Sequence, residues 1–408
     1  MTSTTTTTPR LPASVYVLAL TIFCLGTSEF MIAGLLPDIA DDLGVSVPAV
    51  GGLISSFAVG MLVGAPVMTL LTLRLPRRTM LLASATVFAL AHLVVLASDD
   101  YGVLLASRVV AAVACATFWA VSAVTVVALT PAGTTARALA VLVGGLTLAN
   151  VVGVPAGTWV GDHFGWRTTF VAVAAATAAT LLVTWRAVPE TREVSTSSLA
   201  SSARREIGAL SDVRLLVTLA TTAAFQASIF CTFSYLAPLL IEVAGLREST
   251  VPVVLLLFGV GTFLGISIGG RYSDRNLLGA VLICFSLLAA SLVALAVSAS
   301  SPVLVWVTVF LFGATGFSVA SAINARVFVR ATQAPTLASA VNVSAFNTGN
   351  ALGPWIGGLV IAAGWGYTAP IWASLALIGL AFALASLSWV LEREPRRVVA
   401  PACVDCPA

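Results

Sequence analysis

The chain alternates between long apolar runs and short polar breaks. Twelve runs stand out, at about 13–36, 47–71, 79–98, 102–129, 138–160, 168–188, 213–241, 250–270, 277–299, 302–325, 337–363 and 368–391. Each is near the ~20 residues that an α-helix needs to cross a bilayer. Their excess of Ala, Val and Leu predicts helices, whereas a transmembrane barrel would show alternating segments of about ten residues. The longest polar break, 189–212, is rich in Ser, Arg and Glu and reads as a linker. The pattern therefore predicts an all-α integral membrane protein with twelve transmembrane helices in two six-helix bundles. The bundles occupy 13–188 and 213–391, with a disordered tail at 1–12 and a second tail at 392–408.

The two halves resemble each other. At a shift of 201 residues, Pro37, Gly44, Phe57, Val59, Gly60, Gly64 and Arg74 match Pro238, Gly245, Phe258, Val260, Gly261, Gly265 and Arg275. At a shift of 200, Asn150, Gly153 and Gly157 match Asn350, Gly353 and Gly357. A shared register with a single one-residue slip predicts an internal duplication. Six spans is an even number, so both halves enter the membrane in the same orientation. They are parallel repeats about an axis along the membrane normal, an arrangement that transports by rocking one half against the other.

Composition sharpens this picture. Only 9% of residues are charged, against about 25% in a soluble domain. All 20 basic residues are Arg, a feature read as codon bias rather than function. With an inside N-terminus, every Arg except Arg108, Arg167 and Arg247 falls on the cytoplasmic side, as the positive-inside rule requires. Both termini are expected in the cytoplasm of a cell that carries the protein in its inner or plasma membrane. Thr2 to Thr8 lacks the charged start of a cleavable signal, so the first span is expected to stay in the membrane. Cys24, Cys115, Cys231 and Cys284 lie in spans and behave as small hydrophobes. Cys403 and Cys406 form a lone CxxC without partner ligands, so no metal site is expected.

Several strings carry more specific information. GGRYSDRNLL, with Gly270, Asp274 and Arg275, follows span eight. The equivalent TLLTLRLPRR has Leu73 in place of the acid and keeps Arg74, Arg77 and Arg78. Span five reads GGLTLANVVGVPAGTWVGDHFGWR, with Gly144, Gly153, Pro155 and Gly157, and span eleven has NALGPWIGG, with Gly353, Pro354 and Gly357. Span one carries GTSEFMIAGLLPDIADDLG, and span four carries LLASRVVAAVACA. Together these resemble the major facilitator superfamily over all twelve spans. Within it they resemble the twelve-span drug:proton antiporters, and the first half most resembles the chloramphenicol-exporter branch. The resemblance implies the major facilitator fold with pseudo-symmetric halves. It also implies a conformational lock at the acid–Arg loops and an antiporter role for the span-five string. The bland alternatives are topology-setting Arg residues and ordinary small-residue packing.

Two charges sit inside apolar spans. Glu29 lies about eight residues from the outer end of span one, roughly 12 Å below the surface at ~1.5 Å per residue. Arg108 lies at similar depth in span four. An intramembrane charge is costly and by default marks an ion or proton pathway. Glu29 is the sole carboxylate within the spans. It is the expected proton-coupling acid, with Arg108 as its charged partner. The alternative is a static Glu29–Arg108 ion pair that only fixes helix packing. A variable apolar substrate suits aromatic and Met side chains. The expected substrate-lining residues are Phe30, Ala33, Phe57, Met61, Trp119, Asn150, Phe230, Phe233, Tyr235, Phe346 and Asn347. Gln226, Asn324 and Asn342 are read as polar bridges between helices, and His92 as peripheral, with a packing or hydrogen-bonded role favoured over a proton relay.

The leading expectation is proton-coupled export of a small amphiphilic antibiotic, chloramphenicol first, by alternating access. Alternatives are export of sugars or other metabolites, and uptake by symport. The expected partners are the drug, protons and the lipid bilayer, with no nucleic acid, and the chain is expected to act as a monomer. No cofactor is expected, the proton gradient being the energy source. Without Lys no phosphate-binding loop of the G-x-x-x-x-G-K-[ST] type is possible, and no catalytic cluster appears, so the chain is not read as an enzyme.

Overall fold

The computed structural model describes residues 11–72, 75–130, 134–190, 213–273, 277–320, 322–323, 326 and 335–393. Ten of the described helices are long and apolar enough to cross a membrane, and Leu304–Ser318 is a shorter apolar one. The 28-residue helix Pro335–Ala362 completes the set of twelve. The expected linker lies almost wholly outside the described residues, as do Arg74, Asp274, Arg275, Asn324, Cys403 and Cys406.

Each half repeats the same packing. In the first half, span one packs on five and six, two on four, three on four and six, and five on six. In the second, seven packs on eleven and twelve, eight on ten, nine on ten and twelve, and eleven on twelve. The halves meet mainly along two seams, span two against eleven and span five against eight, and span one also touches span seven between them. The pairs map onto one another, so the 201-residue repeat is also a repeat of architecture: two pseudo-symmetric six-helix bundles.

Three spans are broken near their middles. Span one runs as Ala13–Phe30 and Ile32–Leu43, with a joint at Met31 beside Glu29. It is longer than the apolar run predicts, because Asp38, Asp41 and Asp42 stay helical until Gly44, whose φ of 62° ends the helix. Span seven breaks at Ser234–Tyr235, between Val213–Phe233 and Leu236–Pro238. Pro37 and Pro238 are repeat partners. Each removes an amide donor and crowds the carbonyl four residues back. Span five passes through a π-helical turn at Ala149–Gly153 between Thr135–Leu148 and Val154–Phe164. Such turns recur at functional sites.

Lipid tails offer no hydrophobic drive between helices, so close approach through small residues takes its place. A Cβ at Gly265 would collide with the Ala314 carbonyl, at Gly145 with the Ala19 carbonyl, and at Gly153 with Thr27. Along the seams, a Cβ at Gly259 would stand 2.6 Å from Val151 Cα. Ser55 Oγ donates to Ala351 O at 2.9 Å. These seam contacts lie in the half of the molecule remote from residue 11. Gly144 corrects an expectation. Nothing lies within 4 Å of its would-be Cβ, because its neighbour Gly145 is the one that faces span one.

At that remote end, Trp166 Nε1 donates to Asp42 Oδ2 at 2.9 Å, and the Arg167 guanidinium donates to both Asp42 and Asp99. The GWR string thus ties the start of span six to the end of span one and to the connection between spans three and four. The Trp166 N–H, then the Arg167 guanidinium, hold the Asp42 carboxyl below its ordinary range.

Two outcomes follow. Gly265→Leu should lower the thermal unfolding temperature and the yield of purified protein by an overpacking cost above ~1–3 kcal/mol, while Gly144→Ala should stay within ~0.5 kcal/mol of wild type. The Asp42 tie is present above the ordinary carboxylate range and is lost as pH falls through the lowered value. A pH series of unfolding temperatures should therefore show an acid limb that Arg167→Ala weakens.

Candidate functional site

The centre is assembled where the broken spans meet. Glu29 is 8% exposed and Arg108 is 2% exposed. They are close enough to interact electrostatically, yet they do not form an ion pair. The ion pairs among the described residues are those of Arg167. Arg108 instead donates through Nη1 to Ser28 Oγ at 2.8 Å and through Nη2 to Ser28 O at 3.0 Å. Its guanidinium carbon sits 4.3 Å from the centre of the Phe57 ring, a cation–π contact worth ~0.5–2 kcal/mol. Arg108 Nε has no hydrogen-bond partner.

Behind Ser28 stands His92 of span three, 1% exposed. Its Nδ1 lies 2.8 Å from Phe88 O, an oxygen that can only accept, so Nδ1 carries the proton. Its Nε2 meets Ser28 Oγ. A second cation against Arg108 without a carboxylate in contact would be costly. The ring is therefore neutral, and Nε2 accepts the Ser28 hydroxyl proton. The hydrogen bonds run in one direction, from Arg108 to Ser28 to His92 to the Phe88 carbonyl. His92 is not peripheral, as its place in the chain suggested. Span three packs on spans four and six, and the ring reaches the middle of the half.

Glu29 takes its hydrogen bond from the other half. Asn350 Nδ2 of span eleven donates to Glu29 Oε1 at 3.3 Å, and Gln226 Nε2 of span seven donates to Asn350 Oδ1 at 2.9 Å. Gln226 is a bridge between helices, as expected, and it is also tied to the acid. Neither Ser28 nor Gln226 stood among the expected site residues. Asn350 carried a signal, its repeat match with Asn150, whereas Ser28 is one Ser among many.

The expected lining residues separate into four groups. Phe30 and Phe230 meet across the halves with ring centres 5.3 Å apart. From Phe230 a run of rings continues to Phe233 at 5.7 Å and Phe258 at 4.8 Å. Ala33, Phe57 and Met61 are buried nearby in the core, and Trp119 and Phe346 pack against it half-buried. Asn150 lies in the π turn with Nδ2 donating to Leu146 O at 3.2 Å. Asn347 is buried, its Nδ2 donates to Val343 O at 3.0 Å and its Oδ1 has no partner. Tyr235 belongs elsewhere. Its hydroxyl donates to Pro354 O at 2.7 Å, and its ring fills the space left by Gly51, Gly357 and Gly358. It is a packing wedge at the span-seven joint.

Of the expected conformational residues, Arg78 stacks 5.5 Å from the Trp185 ring centre, while Arg77 starts span three beside it. Pro155 sits directly after the π turn in a helix that continues through it, where its missing amide proton leaves a carbonyl of that turn without its helical partner. Gly153 faces Thr27, Gly157 faces Met31 and Thr169, and Gly353 faces the Ala227 carbonyl. Pro354 lies within the span-eleven helix and Gly270 near the end of span eight.

Comparisons with known proteins agree on the family. The profile of the Major Facilitator Superfamily matches residues 18–343. A chloramphenicol resistance protein of Streptomyces lividans is 41% identical over 92% of this chain and 96% of its own. The inner membrane transport protein YdhP of Escherichia coli K12 is 35% identical over 93% and 96%. In fold, the chain is similar to a bacterial homologue of the human lysosomal transporter Spinster, solved inward-facing and unoccupied. The TM-score is 0.71 at 19% identity, covering 95% of this chain and all of that one. The chain belongs to the Major Facilitator Superfamily and is a multi-pass membrane transporter.

Proposed function

We propose that this transporter exports a small amphiphilic antibiotic, with chloramphenicol as the leading substrate, in exchange for protons carried by Glu29. The substrate reading is supported by the Streptomyces relative, which is named for chloramphenicol resistance. The coupling reading rests on one observation. The only carboxyl in the middle of the spans is buried at the seam between the halves and is hydrogen-bonded across it, while the neighbouring cation is held by Ser28.

That arrangement suits a coupling acid. A carboxylate locked to Arg would stay charged in both states, and its proton could not be exchanged. Here Arg108 exerts its field at a fixed distance without occupying the acid, and Phe57 caps its far face. Glu29 is free to bind a proton when the cavity faces outside and to release it when the cavity faces the cytoplasm. Drug and proton then compete because each binds the other's form less well, which makes the exchange obligatory. The Arg distribution along the chain supports a cytoplasmic position for both termini, with the Trp166–Asp42 end of the molecule facing outside. A neutral drug leaving against one proton also moves charge inward, worth ~2.3 kcal/mol per 100 mV of membrane potential. The aromatic run from Phe30 to Phe258 supplies sequence-tolerant apolar surface for the drug.

Glu29→Gln removes the titration and keeps the shape. Cells carrying it should lose chloramphenicol resistance, and the purified protein should stop releasing protons when drug is added. Retention of both properties would overturn the reading. Ser28→Ala should leave the protein folded at a cost of ~1–3 kcal/mol in unfolding free energy, and reduce drug-induced proton release severalfold by loosening Arg108. Release at the wild-type level would separate the Ser28–His92 pair from coupling.

A further inference from the structure

The hydrogen bonds that end on Glu29 have a direction. An ionised carboxylate only accepts, so Asn350 must present Nδ2 to it. Asn350 Oδ1 is then left to face Gln226, which must present Nε2. By elimination the Gln226 carbonyl oxygen becomes the free end of the chain, and it is buried without any hydrogen-bond partner. Gln226 is 4% exposed. A buried acceptor left unpaired costs ~1–3 kcal/mol, which a donor placed there would recover. One turn from Asn350 on span eleven, Asn347 Oδ1 is also buried and unpartnered. The C-terminal half thus holds two amide oxygens with acceptor capacity beside the proton site.

We propose that Glu29, Asn350 and Gln226 form a polarity relay, and that Gln226 is the residue that reads a hydroxyl donor on the substrate. The proposal rests on Glu29 being the coupling acid, and goes beyond it by naming the group that answers the proton. When a hydronium ion transfers its proton to Glu29, one water is released and the carboxyl gains an O–H. That O–H donates to Asn350 Oδ1, the Asn350 amide turns over, and its Nδ2 now donates to Gln226 Oε1. Gln226 turns in the same way and presents Nε2 where it had presented oxygen. No covalent bond changes beyond the proton transfer itself. Protonation at Glu29 therefore exchanges an acceptor for a donor at Gln226, about two side chains away and in the other half. A neutral substrate with a hydroxyl donor binds the deprotonated form and is rejected by the protonated one.

Few other titratable groups bear on this relay. Arg108 and Cys115 of span four interact with Glu29, and His92 of span three stands beyond Ser28. Cys231 of span seven is turned toward span twelve, where its thiol donates to Pro370 O at 3.4 Å. Spans two, five and eleven bring no charged side chain to Glu29 among the described residues.

The test uses full-length protein, chloramphenicol, and its diacetyl ester, which has no hydroxyl donor. Wild type should bind chloramphenicol about tenfold more tightly with Glu29 deprotonated than protonated, the order expected for one buried hydrogen bond. Gln226→Met should remove that advantage and flatten the pH dependence. The diacetyl ester should bind both proteins alike, with little pH dependence. If Gln226→Met keeps the full pH-dependent preference while Glu29→Gln abolishes proton release, the relay is wrong and the coupling acid stands. If Glu29→Gln keeps proton release, the coupling reading itself has failed. Infrared difference spectra of the wild type between acidic and alkaline pH avoid any folding defect. They should show side-chain amide carbonyl shifts accompanying the carboxyl band, both absent in Glu29→Gln. A carboxyl band without amide shifts would falsify the relay.

Discussion

Glu29 takes its hydrogen bond from Asn350, on the far side of the seam, and the rest of the centre is arranged around that bond. A carboxyl in a membrane helix must be satisfied from somewhere. The nearest cation, Arg108, is already held by two hydrogen bonds to Ser28 and by the Phe57 face. Each half therefore supplies something different. The first half carries the acid and a fixed cation, and the second carries the neutral amides that complete the acid's contacts. Moving one half against the other must change what Glu29 touches. That makes a single hydrogen bond sensitive both to conformation and to the state of the carboxyl.

The packing makes such motion possible. With lipid on the outside, the seams cohere through shape rather than through expulsion of water. Gly259 lies against the Asn150–Val151 backbone, and Tyr235 fills the space beside Gly51 and Gly357. These are close contacts at glycines, without salt bridges among the described residues, so they come apart without leaving buried charges unpaired. The joints at Met31 and Ser234–Tyr235, and the π turn at Ala149–Gly153, lie near the middle of the spans. They fall where a rocking helix needs to bend, and where backbone groups freed by Pro37 and Pro238 already interrupt the ladder.

Much of the fold is legible from hydropathy because the bilayer demands it. Every backbone group in lipid must bond within its own segment, so twenty apolar residues in a row leave helix as the outcome. The repeat at 201 residues sets the relation between the halves independently of their packing. The site was legible only where it is expensive. Glu29 and Arg108 are out of place in apolar runs, and that alone marks them. Ser28, Gln226 and His92 are ordinary polar residues in a membrane helix, and their sequence positions do not say which neighbour they face. His92 looked peripheral because its span is, yet its ring points inward to Ser28. Gly144 looked like the packing glycine of span five, yet the helix is rotated so that Gly145 faces Ala19.

The sequence by itself therefore determined the twelve spans, the duplication and the presence of one intramembrane acid, since each follows from local composition and register. Only the tertiary structure decided that Arg108 is bound to Ser28 rather than to the acid, and that Asn350 and Gln226 complete the carboxyl from the opposite half. The physical reason is that hydrogen bonds depend on atoms within about 3 Å. Residues 29 and 350 come within that distance only after both bundles have folded and closed on each other.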